Sequence, residues 1–356
     1  MHGKRIEKVI LMINDTFLRA CQKKEVDYTP IWLMRQAGRY IPEYRKIRKT
    51  RSVMEICKDP DLSSDVSAMP IKMFGLDAAI IFEDLMVPLE PTDIKFSLVD
   101  KVGPVIENTI TTMSDIDNIT EYNVDEVGFV ADTIKLLKNK VEVPVIGFAG
   151  GPFTIACYMI DGIHNKKFEK TLRMIENEPE IFNRLMDKLT QLIIRYLGLQ
   201  VRAGADAIQL FDTWCGILDR KTYNKIIMPY SQKIFQSITS INSSVPKIHF
   251  ALNSKSILKD IAQLDCDVIS IGWHDNIDQE WSKMGYSKAI QGNLDPSILL
   301  EGGKRMTDTT IKMLKSTDGK KGYIFNLGHG ILPGTKPQNV KKLVSTVHSF
   351  RLSAKT

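Results

Sequence analysis

Two arginines, Arg35 and Arg39, flank a Gln-Ala-Gly turn in WLMRQAGRY (32–40), directly after a short apolar run. A guanidinium stays charged at any working pH and needs a carboxylate, a phosphate or water. Two of them where the chain leaves its interior point to a site that grips an anion. The stretch continues as IPEYRKIR, adding Arg45 and Arg48 with Tyr40 and Tyr44 interleaved. Clustered guanidiniums hold carboxylates bidentately, which lysine cannot reproduce, although Arg45 and Arg48 equally suit a solvated helix face. Asp84 ends the run DAAIIFED, where an aspartate serves as a helix N-cap or as a carboxylate at a cavity mouth. Pro88 and Pro91 follow and argue against a regular helix, and strand alternation turns Glu83 away from Asp84. GFAGGPFTIACYMIDG (147–162) reads as a glycine-rich turn opening a helix. Its free N–H groups form an anion site, or its glycines serve helix entry alone; Tyr158 stands about one turn in. NLGHGILP (326–333) sets His329 between two glycines, where packing is a poor reason for a histidine. There is no HExxH, P-loop, GxGxxG or nucleophile elbow, so neither a metal nor a covalent mechanism is expected.

These residues sit at the ends of eight short apolar runs: PIWLM (30–34), DAAIIFED (77–84), VPVIGFAG (143–150), DAIQLFD (206–212), KIHFAL (247–252), DVISIGW (267–273), KAIQGNL (288–294) and GYIFNLG (322–328). Each is too short for an ordinary helix and mostly lacks strict alternation, as expected of strands buried on both faces. Helical patterns lie between them. The clearest is 184–204, where Leu185, Leu189, Leu192, Tyr196 and Leu199 share a stripe and Gly204 offers a C-cap. The alternation predicts an α/β fold, a single-domain (β/α)8 barrel over residues 1–356, with 85–142 as a loop insertion plus its helix; a doubly wound open sheet is the alternative. In a barrel the active site lies on the loops after the strands. Those loops carry Arg35, Arg39, Asp84, Tyr158, Asp212, Thr213, Asn253, His274, Asn293, Asp295 and His329, which are expected to converge.

The balance of 48 basic against 42 acidic residues gives a net charge of +6, mildly favourable to anionic ligands, but no block of like charge marks a nucleic-acid surface. The five cysteines are scattered and without CxxC spacing, which predicts neither disulfides nor a four-cysteine metal site and fits a cytoplasmic location. No secretory signal is expected from the N-terminal segment, and no apolar stretch is long enough to span a membrane.

PIWLMRQAGRYIPEYRKIR and GFAGGPFTIACYMIDG closely resemble the two signature stretches of the uroporphyrinogen decarboxylase family, and LDAAIIFEDLMVPLE, QLFDTWCG, QGNLDP and NLGHGILP continue the resemblance in order along nearly the whole chain. The resemblance implies a cofactor-free, single-domain barrel enzyme of haem biosynthesis, a homodimer, that converts the four acetate arms of uroporphyrinogen III to methyl groups. It implies Arg35, Arg39, Arg48, Asp84, Tyr158, Thr213 and His329 as substrate-binding residues, with Asp84, Arg35, Tyr158 and His329 in the chemistry. Thr213 stands where the family has Ser or Thr; Glu83 stands where many members have a small residue. Two rivals remain open. Corrinoid-dependent methyltransferases of similar fold hold zinc through a His-x-Cys pair, where this chain has Ala251 two residues after His249. A non-catalytic tetrapyrrole carrier would use the same arginine-lined cavity.

Overall fold

The computed structural model describes residues 14–100, 102–120, 123–163, 165 and 167–353. Seven of the eight apolar runs form parallel strands: β1 (Ala79–Ile80), β4 (Val145–Gly150), β5 (Ala207–Phe211), β6 (Lys247–Ala251), β7 (Val268–Ile271), β8 (Ala289–Leu294) and β9 (Tyr323–Leu327). They are hydrogen-bonded in the order β1-β4-β5-β6-β7-β8-β9 and curl round. The eighth run, first in the chain, closes the curl through one bridge, Ile31 to Phe325, while the Ile31 carbonyl accepts from Asp77 N at 2.9 Å. Its shortness has a chemical cause. Pro30 has no N–H to donate, and the Ile31 N–H is taken by the Asp77 carboxylate at 2.8 Å. The barrel expectation therefore holds, and the open-sheet alternative does not.

Two layers of apolar side chains hold the barrel. Inside, Ile146, Ile248, Val268 and Ile324 pack around Trp32. A buried polar chain crosses this interior: Trp32 Nε1 donates to Gln291 Oε1 at 2.8 Å, and Gln291 Nε2 donates to Ser270 Oγ at 2.9 Å and Gln209 Oε1 at 3.1 Å. Outside, helices bury one stripe each. The 184–204 pattern lies in the helix Pro179–Arg202, which buries Leu185, Leu189, Leu192 and Tyr196. Leu199 is only partly covered, because the stripe drifts to Leu197 and Val201 as 3.6 residues per turn rotates it. Gly204, at φ +100°, ends the helix as expected.

The 85–142 insertion contains a short 3-10 turn (Val87–Leu89), a hairpin of β2 (Phe96–Val99) and β3 (Gly103–Ile106), and the helix Gly128–Lys138. The hairpin leans over the C-terminal rim of the barrel, where Leu98, Val99, Asp100 and Val102 border the cavity described next.

Candidate active site

A cavity of about 480 Å³ opens at the C-terminal ends of the strands. Arg35, Arg39, Arg48, Asp84, Tyr158, Thr213 and His329 all line it, against a wall that includes Phe148, Phe211 and Phe250. They reach it from five separate segments, with Arg35, Arg39 and Arg48 on the first and Asp84, Tyr158, Thr213 and His329 on one each, so local sequence puts charge at the rim and barrel closure makes the charges meet.

Arg35 follows the closing bridge with φ +60°, a left-handed backbone that costs a non-glycine residue about 1–2 kcal/mol. The turn is held by Gln36 N donating to Leu33 O and by Met34 N donating to Asn326 Oδ1. The conformation throws an exposed guanidinium across the Gly330 backbone; a Cβ there would stand 2.4 Å from Arg35 Cδ. Its charge is felt by three groups from three other loops. It partly offsets the burial that raises the Asp84 carboxyl and the Tyr158 phenol, and it adds to the burial that pushes His329 down to about 4. His329 is consequently neutral at working pH, edge-on to Trp273 with ring centroids 5.9 Å apart.

Asp84 stands at the cavity and is not a helix N-cap. Its Oδ1 accepts from Met86 N at 3.0 Å in a local turn just ahead of the 3-10 turn Val87–Leu89, whose N-cap is Met86 without a side-chain cap. The expectation that Glu83 turns away is corrected: it borders the cavity too. β1 ends at Ile80, so period-2 alternation no longer applies at 83–84. Both Glu83 oxygens are buried without a hydrogen bond of good geometry, with the Cys57 thiol the polar group beside them. Burial pushes the Glu83 carboxyl well up, Cys57 acts downward and Asp84 adds to the rise.

Arg39 and Arg48 meet at the rim, both reaching Asp100 Oδ1 on the hairpin, at 3.6 and 3.4 Å. Arg45 is not a free surface cation; its Nη1 donates to the carbonyls of Arg39 and Tyr40 at 3.0 Å each and braces the turn.

Not every strand-end residue joins the cavity. Asp295 caps the helix Pro296–Glu301 through Ser297 N, and Asn293 Nδ2 donates to the Gly272 and Asp275 carbonyls. His274 stacks on Trp273, and Asn253 takes a left-handed turn conformation. The glycine-rich anion site is filled by the chain itself: Asp212 Oδ1 accepts from Thr154 N at 3.2 Å and Thr154 Oγ1 at 3.1 Å at the start of the helix Pro152–Asp161. Gly151 permits this approach, since a Cβ there would lie 2.5 Å from the Asp212 side chain.

One group escaped the sequence reading. Asp212, Cys215 and His249 bring their ligand atoms within 4.8 Å of one another, all fully buried. Asp212 and Cys215 follow the end of β5, His249 lies in the middle of β6, and none of the three borders the cavity; no metal-binding spacing announces them, and only the pairing of Leu210 with His249 across β5 and β6 brings them together.

A parallel barrel whose C-terminal rim gathers arginines, an aspartate, a tyrosine and a histidine around one cleft is the layout of a barrel enzyme for an acidic substrate. The comparisons narrow the class. Residues 12–350 match the family model described as uroporphyrinogen decarboxylase (URO-D), and the chain belongs to that family. Proteins named uroporphyrinogen decarboxylase from Geobacter metallireducens and Thermodesulfovibrio yellowstonii are 42% and 40% identical to it, over 96% and 95% of this chain and 100% and 99% of theirs. Among solved structures, a methyltransferase from Methanosarcina mazei shares the fold with a TM-score of 0.77 at 20% identity, over 94% of this chain and 98% of that one.

Proposed function

We propose that the chain is a uroporphyrinogen decarboxylase, a carboxy-lyase that removes carbon dioxide from the four acetate arms of uroporphyrinogen III to give coproporphyrinogen III. The convergence of Asp84 and the arginines on one cleft is the observation that carries the reading. Uroporphyrinogen bears eight carboxylates around a ring whose four pyrrole N–H groups turn inward. The arginines suit the periphery, because a guanidinium holds a carboxylate bidentately. Asp84 suits the hub, because a carboxylate offers about four lone-pair sites to converging N–H donors.

Protonation of a pyrrole carbon next to an acetate arm makes a cationic ring that serves as the electron sink. The bond to the carboxylate carbon then breaks, its electron pair enters the ring and carbon dioxide leaves; a second proton converts the resulting methylene to methyl, and the ring carbon releases the first proton to restore the neutral pyrrole. Asp84 stabilises the ring cation, an effect of roughly 3 kcal/mol or more for a preorganised charge. Arg35 binds rather than protonates, since a guanidinium gives up a proton too reluctantly to serve as a general acid. Neutral His329 and the protonated Tyr158 phenol offer hydrogen bonds to the reacting arm and a path for relayed protons. Thr213 adds a hydroxyl to the wall.

The barrel with its insertion is read as one domain spanning 1–356, and the enzyme as a cytoplasmic homodimer needing no cofactor for this reaction. No helix among the described residues is long and apolar enough to cross a membrane, and all five cysteines are free and buried. Anaerobic incubation with uroporphyrinogen III, followed by oxidation and chromatography, should show the seven-, six-, five- and four-carboxyl porphyrins in turn. Persistence of the eight-carboxyl species would instead favour a carrier. Sedimentation velocity should return twice the chain mass of 40.3 kDa.

A further inference from the structure

Behind the cavity wall, between β5, β6 and the helix Met228–Ile241, lies a cluster of buried polar atoms that the decarboxylation does not use. Leu210 pairs with His249, and period-2 alternation puts Asp212 on the same outer face as both. Phe211 and Phe250 point the other way and line the cleft. Cys215 returns to this outer face because its N–H donates to Asp212 O at 3.2 Å, forming a tight turn. Asp212 Oδ2 and both His249 ring nitrogens are buried without a hydrogen-bond partner among the described residues, and Cys215 is a free, fully buried thiol. Ser231 Oγ lies buried against the Asp212 carboxyl and acts to lower it, and Tyr223 OH is buried without a partner beside them. Tyr223 opens a stretch of π-helix, Tyr223–Ile227, a distortion frequent at functional sites.

Each unmade hydrogen bond on a buried group costs about 1–3 kcal/mol, so so many orphans in one place call for an occupant. We propose that Asp212, Cys215 and His249 bind a zinc ion in a structural site behind the cleft. Their atoms lie within 4.8 Å of one another, the spacing open to ligands of one ion, and a carboxylate, an imidazole and a thiolate are zinc's usual donors. Carboxylate and thiolate together carry two negative charges, which a divalent cation neutralises out of contact with water. Ser231 and Tyr223 stand ready to supply the fourth ligand or to hold a water that does. Asp212 would then serve twice, with Oδ2 on the metal and Oδ1 on Thr154, tying the ion to the helix that carries Tyr158 and to the loop that carries Thr213. The ion has no contact with the cleft.

The test uses the untagged full chain from cells grown in defined medium with zinc or with cobalt, and its readouts are independent of turnover. Elemental analysis should return about one zinc per chain after gel filtration. The cobalt-grown protein should show the near-ultraviolet thiolate-to-cobalt charge-transfer band and visible bands of tetrahedral coordination. Cys215→Ser should lose the charge-transfer band, and His249→Gln should weaken metal affinity at least about tenfold, the lower end of what disturbing even the surroundings of a metal site costs. Asp84→Asn should retain the metal in full. If the variants do not fold, the wild-type cobalt spectrum decides alone. Wild-type protein free of zinc and cobalt from both media, or metal that survives both substitutions unchanged, overturns the site and leaves trapped water as the occupant.

Discussion

The contact between Gly330 and Arg35 gives the sharpest check on the cleft. An ideal Cβ on Gly330 would lie 2.4 Å from Arg35 Cδ, 2.7 Å from Cγ and 3.0 Å from Nε, with Arg35 supplying all three nearest atoms. Gly330 is not among the glycines with a left-handed backbone, so its backbone accepts alanine and the nearest collision is with Arg35. Gly330→Ala should therefore leave the fold alone and push one side chain, the exposed guanidinium of Arg35, out of position. A charge-assisted hydrogen bond to a substrate carboxylate is worth about 1.5–3 kcal/mol, so kcat/KM should fall about 10- to 150-fold. Thermal stability should stay within about 0.5 kcal/mol of wild type, as for surface changes. The assay is the anaerobic conversion of uroporphyrinogen read by chromatography, run on a double-mutant cycle with Arg35→Ala. Once Arg35 is truncated nothing remains to collide with, so adding Gly330→Ala should cost nothing further. An undiminished kcat/KM in Gly330→Ala, or penalties that simply add, would refute the placement of Arg35 as the substrate clamp.

Three further outcomes follow from the same geometry. Asp84→Asn keeps an acceptor for Met86 N but removes the negative charge, and kcat should drop about 10²- to 10³-fold with the fold unchanged by circular dichroism; wild-type turnover would remove the anion from the mechanism. Asp100→Ala releases Arg39 and Arg48 from a carboxylate that is 68% exposed; such pairs are worth about 0–1 kcal/mol, so KM should fall by no more than about fivefold, and the gain should fade at high salt. Burial, reinforced by Arg35, pushes His329 from 6.5 to about 4, so between those values the unfolded chain takes up a proton that the folded one refuses. Its contribution to stability is complete above pH 6.5 and shrinks by up to ~3 kcal/mol as pH falls to about 4. Urea titrations should accordingly show His329→Gln losing less stability than wild type on acidification, and parallel losses would contradict a buried neutral imidazole.

Much of this protein was legible in its order of residues. The eight apolar runs are strand-length and bounded by turn signals, so they specify strands locally, and residues at strand ends must gather at one rim once a parallel sheet closes. Arg35, Arg39, Asp84, Tyr158, Thr213 and His329 could be named because each follows its run within a few positions or opens the next helix. Other features depend on partners distant in the chain. Asp212 fills the helix terminus that the glycine-rich turn leaves open, since a strand end 58 residues beyond Thr154 folds over Gly151. Glu83 stays at the cleft because β1 stops early, and Asp100 meets Arg48 from a hairpin 52 residues further on. The Asp212–Cys215–His249 cluster exists only through the register of β5 against β6. Sequence by itself determined the strands, the helices and the kinds of groups at the rim, because propensity and patterning act over a few residues. The tertiary structure alone decided which of those groups touch, because contact depends on barrel closure and register, which the chain fixes only as a whole.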